Sequence, residues 1–262
     1  MTAALSSIRK NQKRLQKQNR RRFLQMESLE SRHLMATLST FLTTEHVDLN
    51  LTHESGAWSV GVRNDDLFPI VTSESDDALL YVGKPAEVTR PSDPRYGFIG
   101  VGAGQGFYAL PQSQNHELLY LGFAGYGFEG SAIDQYNPSV ESKGRVSGSA
   151  FWAKAQLLSV SHFEPNGTAG DGVFSLWQTG SFGDPNVFMS SYNDGVANAD
   201  ANGFDATDGI TADDAMWIVQ SGHSHFNFGF SEPGRYEVEV RLSAYFGSDG
   251  NNTTPNTADL RQ

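Results

Sequence analysis

Arg235-Tyr236-Glu237-Val238-Glu239-Val240-Arg241-Leu242 alternates polar or charged and apolar side chains along its length, with Tyr236 taking an apolar position. Successive side chains of an extended chain point to opposite faces, so this period of two specifies a β-strand with one buried and one wet face. Just upstream, Phe226, Phe228 and Phe230 alternate with His225, Asn227 and Gly229. Ser231-Glu232-Pro233-Gly234 lies between the two runs and has turn chemistry, so the pair is expected to form a hairpin. Nearer the start of the chain, Val47, Leu49 and Leu51 share one face and His46, Asp48 and Asn50 the other. After the Glu54-Ser55-Gly56 turn, Trp58, Val60 and Val62 resume the alternation.

Other runs are apolar on both faces: Ala78 to Val82, Phe107 to Leu110, Leu118 to Phe123, Val146 to Val160 and Val173 to Trp177. These suit central strands packed between layers. Only Asp213 to Gln220 offers a helical turn, and it reads equally as a strand. Ten or so short strands with Gly/Pro/Asn-rich connections predict an all-β protein, an antiparallel β-sandwich or jelly-roll-like single domain, with a barrel as the alternative. The domain is expected over 37–247, between a disordered basic arm (1–36) and a flexible tail (248–262).

Composition agrees. Hydrophobic residues make up 38% of 262, enough for a sizeable core, and 27 Gly with 10 Pro favour many turns. No cysteine is present, which removes disulfides, thiolate-bound metals and thiol nucleophiles together. No stretch reaches the roughly 18 apolar residues that span a bilayer, so no integral membrane segment is expected.

Charge divides the chain. Residues 1–36 carry nine Lys/Arg against Glu27 and Glu30, a net of +7, and the other 226 residues hold 10 basic and 28 acidic side chains, a net of −18. So acidic a body repels nucleic acid and attracts cations. Within the arm, Arg20-Arg21-Arg22-Phe23-Leu24 resembles a twin-arginine export signal, although the apolar stretch that should follow is missing. Leu29-Glu30-Ser31-Arg32-His33-Leu34-Met35-Ala36 resembles the Leu-Glu-Pro-Arg-x-Leu-Leu segment of exported planctomycete proteins, with Ser31 in place of Pro and Met35 in place of the last Leu. That resemblance implies export, processing near Ala36 and a secreted or extracytoplasmic location.

Among motifs that carry chemistry, Gly100-Val-Gly102-Ala-Gly104-Gln-Gly106 is followed by a strand sequence, whereas a dinucleotide loop opens a helix. Asn198-Ala-Asp200-Ala-Asn202-Gly203 matches the first half of a calcium loop, but Gly209 stands where the bidentate Glu belongs. Asp205, Asp208, Asp213 and Asp214 are nearby oxygens, yet calcium is not the expected ion. No nucleophile elbow or assignable carboxylate pair is present, so an enzyme is not expected.

Gly222-His223-Ser224-His225 differs from these. On a strand, His223 and His225 point the same way at about 7 Å Cα spacing, and two imidazoles so placed converge on one cation. His46 and Asp48 form a second such pair. If the strands meet, His46, His223 and His225 make a three-histidine site for zinc, with Asp48 as fourth ligand or as orienter. Otherwise these groups only hydrogen-bond across a sheet. His162 is a weaker further candidate, and His53 and His116 read as ordinary loop residues.

The body also resembles the choice-of-anchor, actinobacterial-type surface-anchored domain, over most of residues 44–246. The segments that carry this are Glu45-His46-Val47-Asp48-Leu49, Leu110-Pro111-Gln112-Ser113-Gln114, Gly172-Val173-Phe174-Ser175-Leu176-Trp177 and Gly222-His223-Ser224-His225-Phe226-Asn227-Phe228-Gly229-Phe230. Phe228 stands where that family usually has Trp. The resemblance implies a secreted or surface-attached binding protein, and its association with metal-uptake transporters favours the metal reading. This chain departs from anchored members in lacking a C-terminal membrane or sorting segment, so release or retention by a cell-surface component is expected. The rival readings are a structural or adhesive surface module, and a carbohydrate-binding module using Trp58, Trp152, Trp177 and Trp217.

Overall fold

A computed structural model describes residues 40–128, 133–139, 142–143, 150–196, 205–246 and 260–261. Its strands begin with β1 (Thr40–Leu42), β2 (His46–Glu54), β3 (Ala57–Asn64), β4 (Val71–Glu74) and β5 (Ala78–Leu80). Next come β6 (Glu87–Thr89), β7 (Gly106–Leu110), β8 (Tyr120–Phe128), β9 (Gln135–Asn137) and β10 (Ser142–Lys143). The long β11 (Ala150–Phe163) is followed by β12 (Ala169–Gly170), β13 (Phe174–Thr179), β14 (Pro185–Ser190) and β15 (Ala215–Val219). The chain closes through β16 (His223–His225), β17 (Asn227–Phe230), β18 (Arg235–Tyr245) and β19 (Leu260–Arg261). Among the described residues the only helical pieces are short 3-10 turns, so the protein is all-β, built from layered and mainly antiparallel sheets.

The β2–β3 hairpin forms where the alternation and its turn place it. Ser55 and Gly56 both adopt positive φ (52° and 83°), the two-residue turn whose twist matches its strands. One sheet runs β16-β8-β2-β3-β4, with β2 and β8 parallel. A second runs β14-β13-β17-β7-β6. In the third, β11 is flanked by β15 and β18. Residues 213–220 resolve in favour of a strand, β15.

The expected hairpin between 226–230 and 235–242 does not form. β17 pairs with β13 and β7, whereas β18 pairs with β11. Ser231 to Gly234 is therefore a corner between sheets. Tyr236 holds it: its hydroxyl donates to Glu232 O (3.0 Å) and accepts the Glu232 N–H (3.2 Å). Tyr236→Phe is expected to cost about 1–2 kcal/mol, read as a lower urea midpoint with an unchanged slope. A second switch lies at Phe226, 5% exposed, where the chain leaves β16 in the first sheet for β17 in the second. A strand that bends between sheets makes a closed corner of a sandwich.

Ala78 to Val82 is not a central strand either. Among the described residues β5 pairs only with β1, and Leu79 and Tyr81 remain 37% and 49% exposed. The charged-and-apolar run in β18 is a strand, but Val238 is exposed, and full burial begins at Leu242. One core joins the layers through Val47, Leu51, Leu121, Leu157, Leu176 and Phe226. Leu260–Arg261 pairs with the end of β18, so the chain is tied to that sheet beyond 248.

Candidate metal centre

One face of the β16-β8-β2 ladder gathers the polar residues that the alternation singled out. Register places Asp48 of β2 and His225 of β16 on either side of Gly122 in β8. His46 lies opposite Tyr120, and His223 opposite Ala124. Because β8 carries glycine at the middle position, the flanking side chains meet over its backbone. A Cβ at Gly122 would overlap Asp48 Oδ1 and lie 2.9 Å from the His225 ring.

His46, His223 and His225 each offer a ring nitrogen, and the three lie within 4.8 Å of one another. His46 Nε2 and His225 Nε2 are 3.1 Å apart. Two nitrogens bound to tetrahedral zinc at 2.0–2.1 Å sit ~3.3 Å apart, so this pair needs to open by only a few tenths of an ångström. His225 Nδ1 is 3.0 Å from Leu121 O. A carbonyl only accepts, so the proton is on Nδ1 and Nε2 presents its lone pair to the cluster. Tyr120 stacks on the same ring at 3.6 Å and 9°, fixing its plane. His223 is exposed and meets Tyr126 Oη through Nδ1 at 2.7 Å. His46 is anchored by its backbone, whose N–H donates to Asp66 Oδ2 (2.8 Å) and whose carbonyl accepts the Asp65 N–H (2.9 Å).

Asp48 is 0% exposed, and neither carboxylate oxygen has a hydrogen-bond partner. Burial raises its pKa from 3.8 to about 6 against the opposing pull of His223 and His46, and the neighbouring Asp65 carboxylate adds to the rise. Burial also lowers His225 from 6.5 to about 4, with His46 and His223 adding to the effect and the Leu121 bond opposing it. The site thus holds an imidazole kept neutral beside a carboxylate lacking a counter-charge, the pairing that a cation relieves. Asp48 groups with His46 and with Asp65, again within 4.8 Å. Asp65 was not legible as a site residue: it follows β3 in a loop and joins the cluster only through the hairpin. Gly122, one of three glycines inside β8, did carry a signal, since glycines within a strand mark close approach.

The remaining candidates are placed elsewhere. His162 is buried with both nitrogens used, Nδ1 accepting the Gly172 N–H (2.9 Å) and Nε2 donating to Pro233 O (3.2 Å). His53 lies in β2, not in a loop, and packs on Trp58 and Phe246. Asn198, Asp200, Asn202 and Gly203 lie outside the described residues. Asp214 is buried and its carboxylate accepts the N–H groups of Ser190 (2.7 Å) and Thr211 (2.8 Å), a task of holding β14 to the loop before β15. Gly106 opens β7, so a strand does follow the glycine run. None of the four tryptophans is an exposed platform: Trp177 is 4% exposed, and Trp58, Trp152 and Trp217 are half-buried.

Comparison with protein-family models, with curated proteins and with solved structures gives no match for this chain. The likeness to surface-anchored domains therefore rests on the segments quoted above.

Proposed function

We propose that this protein is an exported, extracytoplasmic binding protein that takes a divalent transition-metal ion, zinc foremost, through His46, His223 and His225. Asp48 supplies negative charge beside them. The observation that carries the reading is the buried Asp48 carboxylate, left without a hydrogen-bond donor beside His46, one of three converging imidazoles. Burying such a charge for structure alone is costly, whereas a cation turns the cost into attraction. A ligand set of neutral nitrogens with one carboxylate suits zinc better than calcium, which prefers six to eight oxygens.

The test is isothermal titration of the metal-stripped full chain with zinc. Wild type is expected to take up one equivalent. His223→Ala/His225→Ala is expected to lose affinity on the order of 100-fold while remaining folded. Absence of heat in wild type, or an unchanged affinity in the double variant, would leave the structural surface module as the better reading.

A further inference from the structure

Arg63 and Asp65 stand beside the three-histidine cluster and have no part in the reading above. In the β2–β3 register Arg63 is directly opposite Asp48, the position from which a cross-strand ion pair forms. It forms none: both Asp48 oxygens are unpartnered. The Arg63 guanidinium turns instead to Asp65, with Nε 2.6 Å from Oδ1, and lies 4.4 Å over the Tyr126 ring. Tyr126 in turn touches His223. A carboxylate of Asp65 is within 4.8 Å of both His46 and Asp48. The guanidinium therefore holds a carboxylate beside the cluster that the proposed site does not use, and it does not pair with the buried one.

We propose that Asp65 is a further ligand of this cation site and that Arg63 is its rival for that carboxylate. On cation entry Asp65 passes from the guanidinium to the metal. The inference rests on the metal-binding reading. Its logic is charge balance. Three neutral imidazoles and Asp48 leave a divalent ion one positive charge in excess, and Asp65 cancels it. Without the ion, two carboxylates so close repel, and Arg63 compensates the more accessible of them. Asp65 and Arg63 keep 16% and 23% side-chain exposure, so the exchange needs no opening of the core.

The experiment is titration of the metal-stripped full chain with zinc by calorimetry and with cobalt(II) by visible absorption, for wild type, Asp65→Asn and Arg63→Gln. Asp65→Asn is expected to bind about 10-fold more weakly, with cobalt bands that intensify as a ligand is lost. Arg63→Gln is expected to bind about 10-fold more tightly, because the rival is gone. Wild type that binds neither ion overturns this inference together with the reading beneath it. Wild type that binds, with Asp65→Asn unchanged in affinity and spectrum, overturns the inference alone. So does an Arg63→Gln protein that binds no more tightly. Thermal melts report folding, and Arg63→Met, which keeps a long unbranched side chain beside Tyr126 without the charge, replaces Arg63→Gln if the latter unfolds.

Discussion

Gly122→Ala is expected to destabilise the protein by about 1–3 kcal/mol and to lower zinc affinity on the order of 100-fold. The added methyl would stand between β2 and β16, overlapping Asp48 Oδ1 and crowding the His225 ring at 2.9 Å. Neither neighbour can retreat easily. Asp48 is on a buried strand between β3 and β8, and His225 is pinned by Leu121 O and by the Tyr120 stack. Relief has to come from rotating His225, which breaks the Nδ1–H bond that aims Nε2, or from spreading β8 from its neighbours. Gly106→Ala is the control, a β7 glycine whose nearest neighbours to a new Cβ are at 3.7 and 3.9 Å. Urea melts should show a near-neutral Gly106→Ala and a lowered midpoint for Gly122→Ala. Equal zinc affinity in Gly122→Ala and wild type would mean that the close approach over Gly122 does not shape the site.

How far this arrangement was legible in the sequence differs from strand to strand. β2 and β3 were readable because period two met a Ser-Gly turn with both residues in the left-handed region, which leaves a single register. The stretch from Phe226 to Leu242 had equally clean periodicity and was misread, because alternation reports faces and not partners. Only tertiary packing decides that Phe226 and the Tyr236 corner send adjacent runs into different sheets. Ala78 to Val82 failed for a related reason, since apolar residues on both faces do not reveal how many layers cover them. Within the candidate centre, His223 with His225 and His46 with Asp48 were visible as same-face pairs. That β16 and β2 lie either side of β8 is a non-local fact, absent from any window of sequence. Asp65 and Tyr126 were invisible because they reach the cluster through a hairpin and a neighbouring strand.

Asp48→Asn is expected to invert its effect on stability according to whether zinc is present. In the cation-free protein, burial raises the Asp48 pKa from 3.8 to about 6, so its neutral form is the one the fold prefers. The associated stability is fully present below pH 3.8 and is lost as pH rises through about 6. His225 runs the other way. With its pKa lowered from 6.5 to about 4, its contribution is present above pH 6.5 and is lost as pH falls towards 4. The two trends oppose each other over nearly the same window, which flattens the wild-type profile between pH 4 and 6. Asparagine is close in shape, carries no charge and removes only the Asp48 trend. The variant's stability should therefore rise between pH 4 and 6.5, and near pH 7 it should exceed wild type by about 1–2 kcal/mol, against an upper bound of ~3 kcal/mol from the full pKa displacement. Near pH 3.8 and below, the two proteins should converge. With saturating zinc at pH 7 the order reverses, because only wild type adds ligand free energy by mass action. Thermal or urea melts across pH 4–8, with and without zinc, read all three outcomes. A variant less stable than wild type at pH 7 without zinc would show that Asp48 already has a favourable partner in the folded protein.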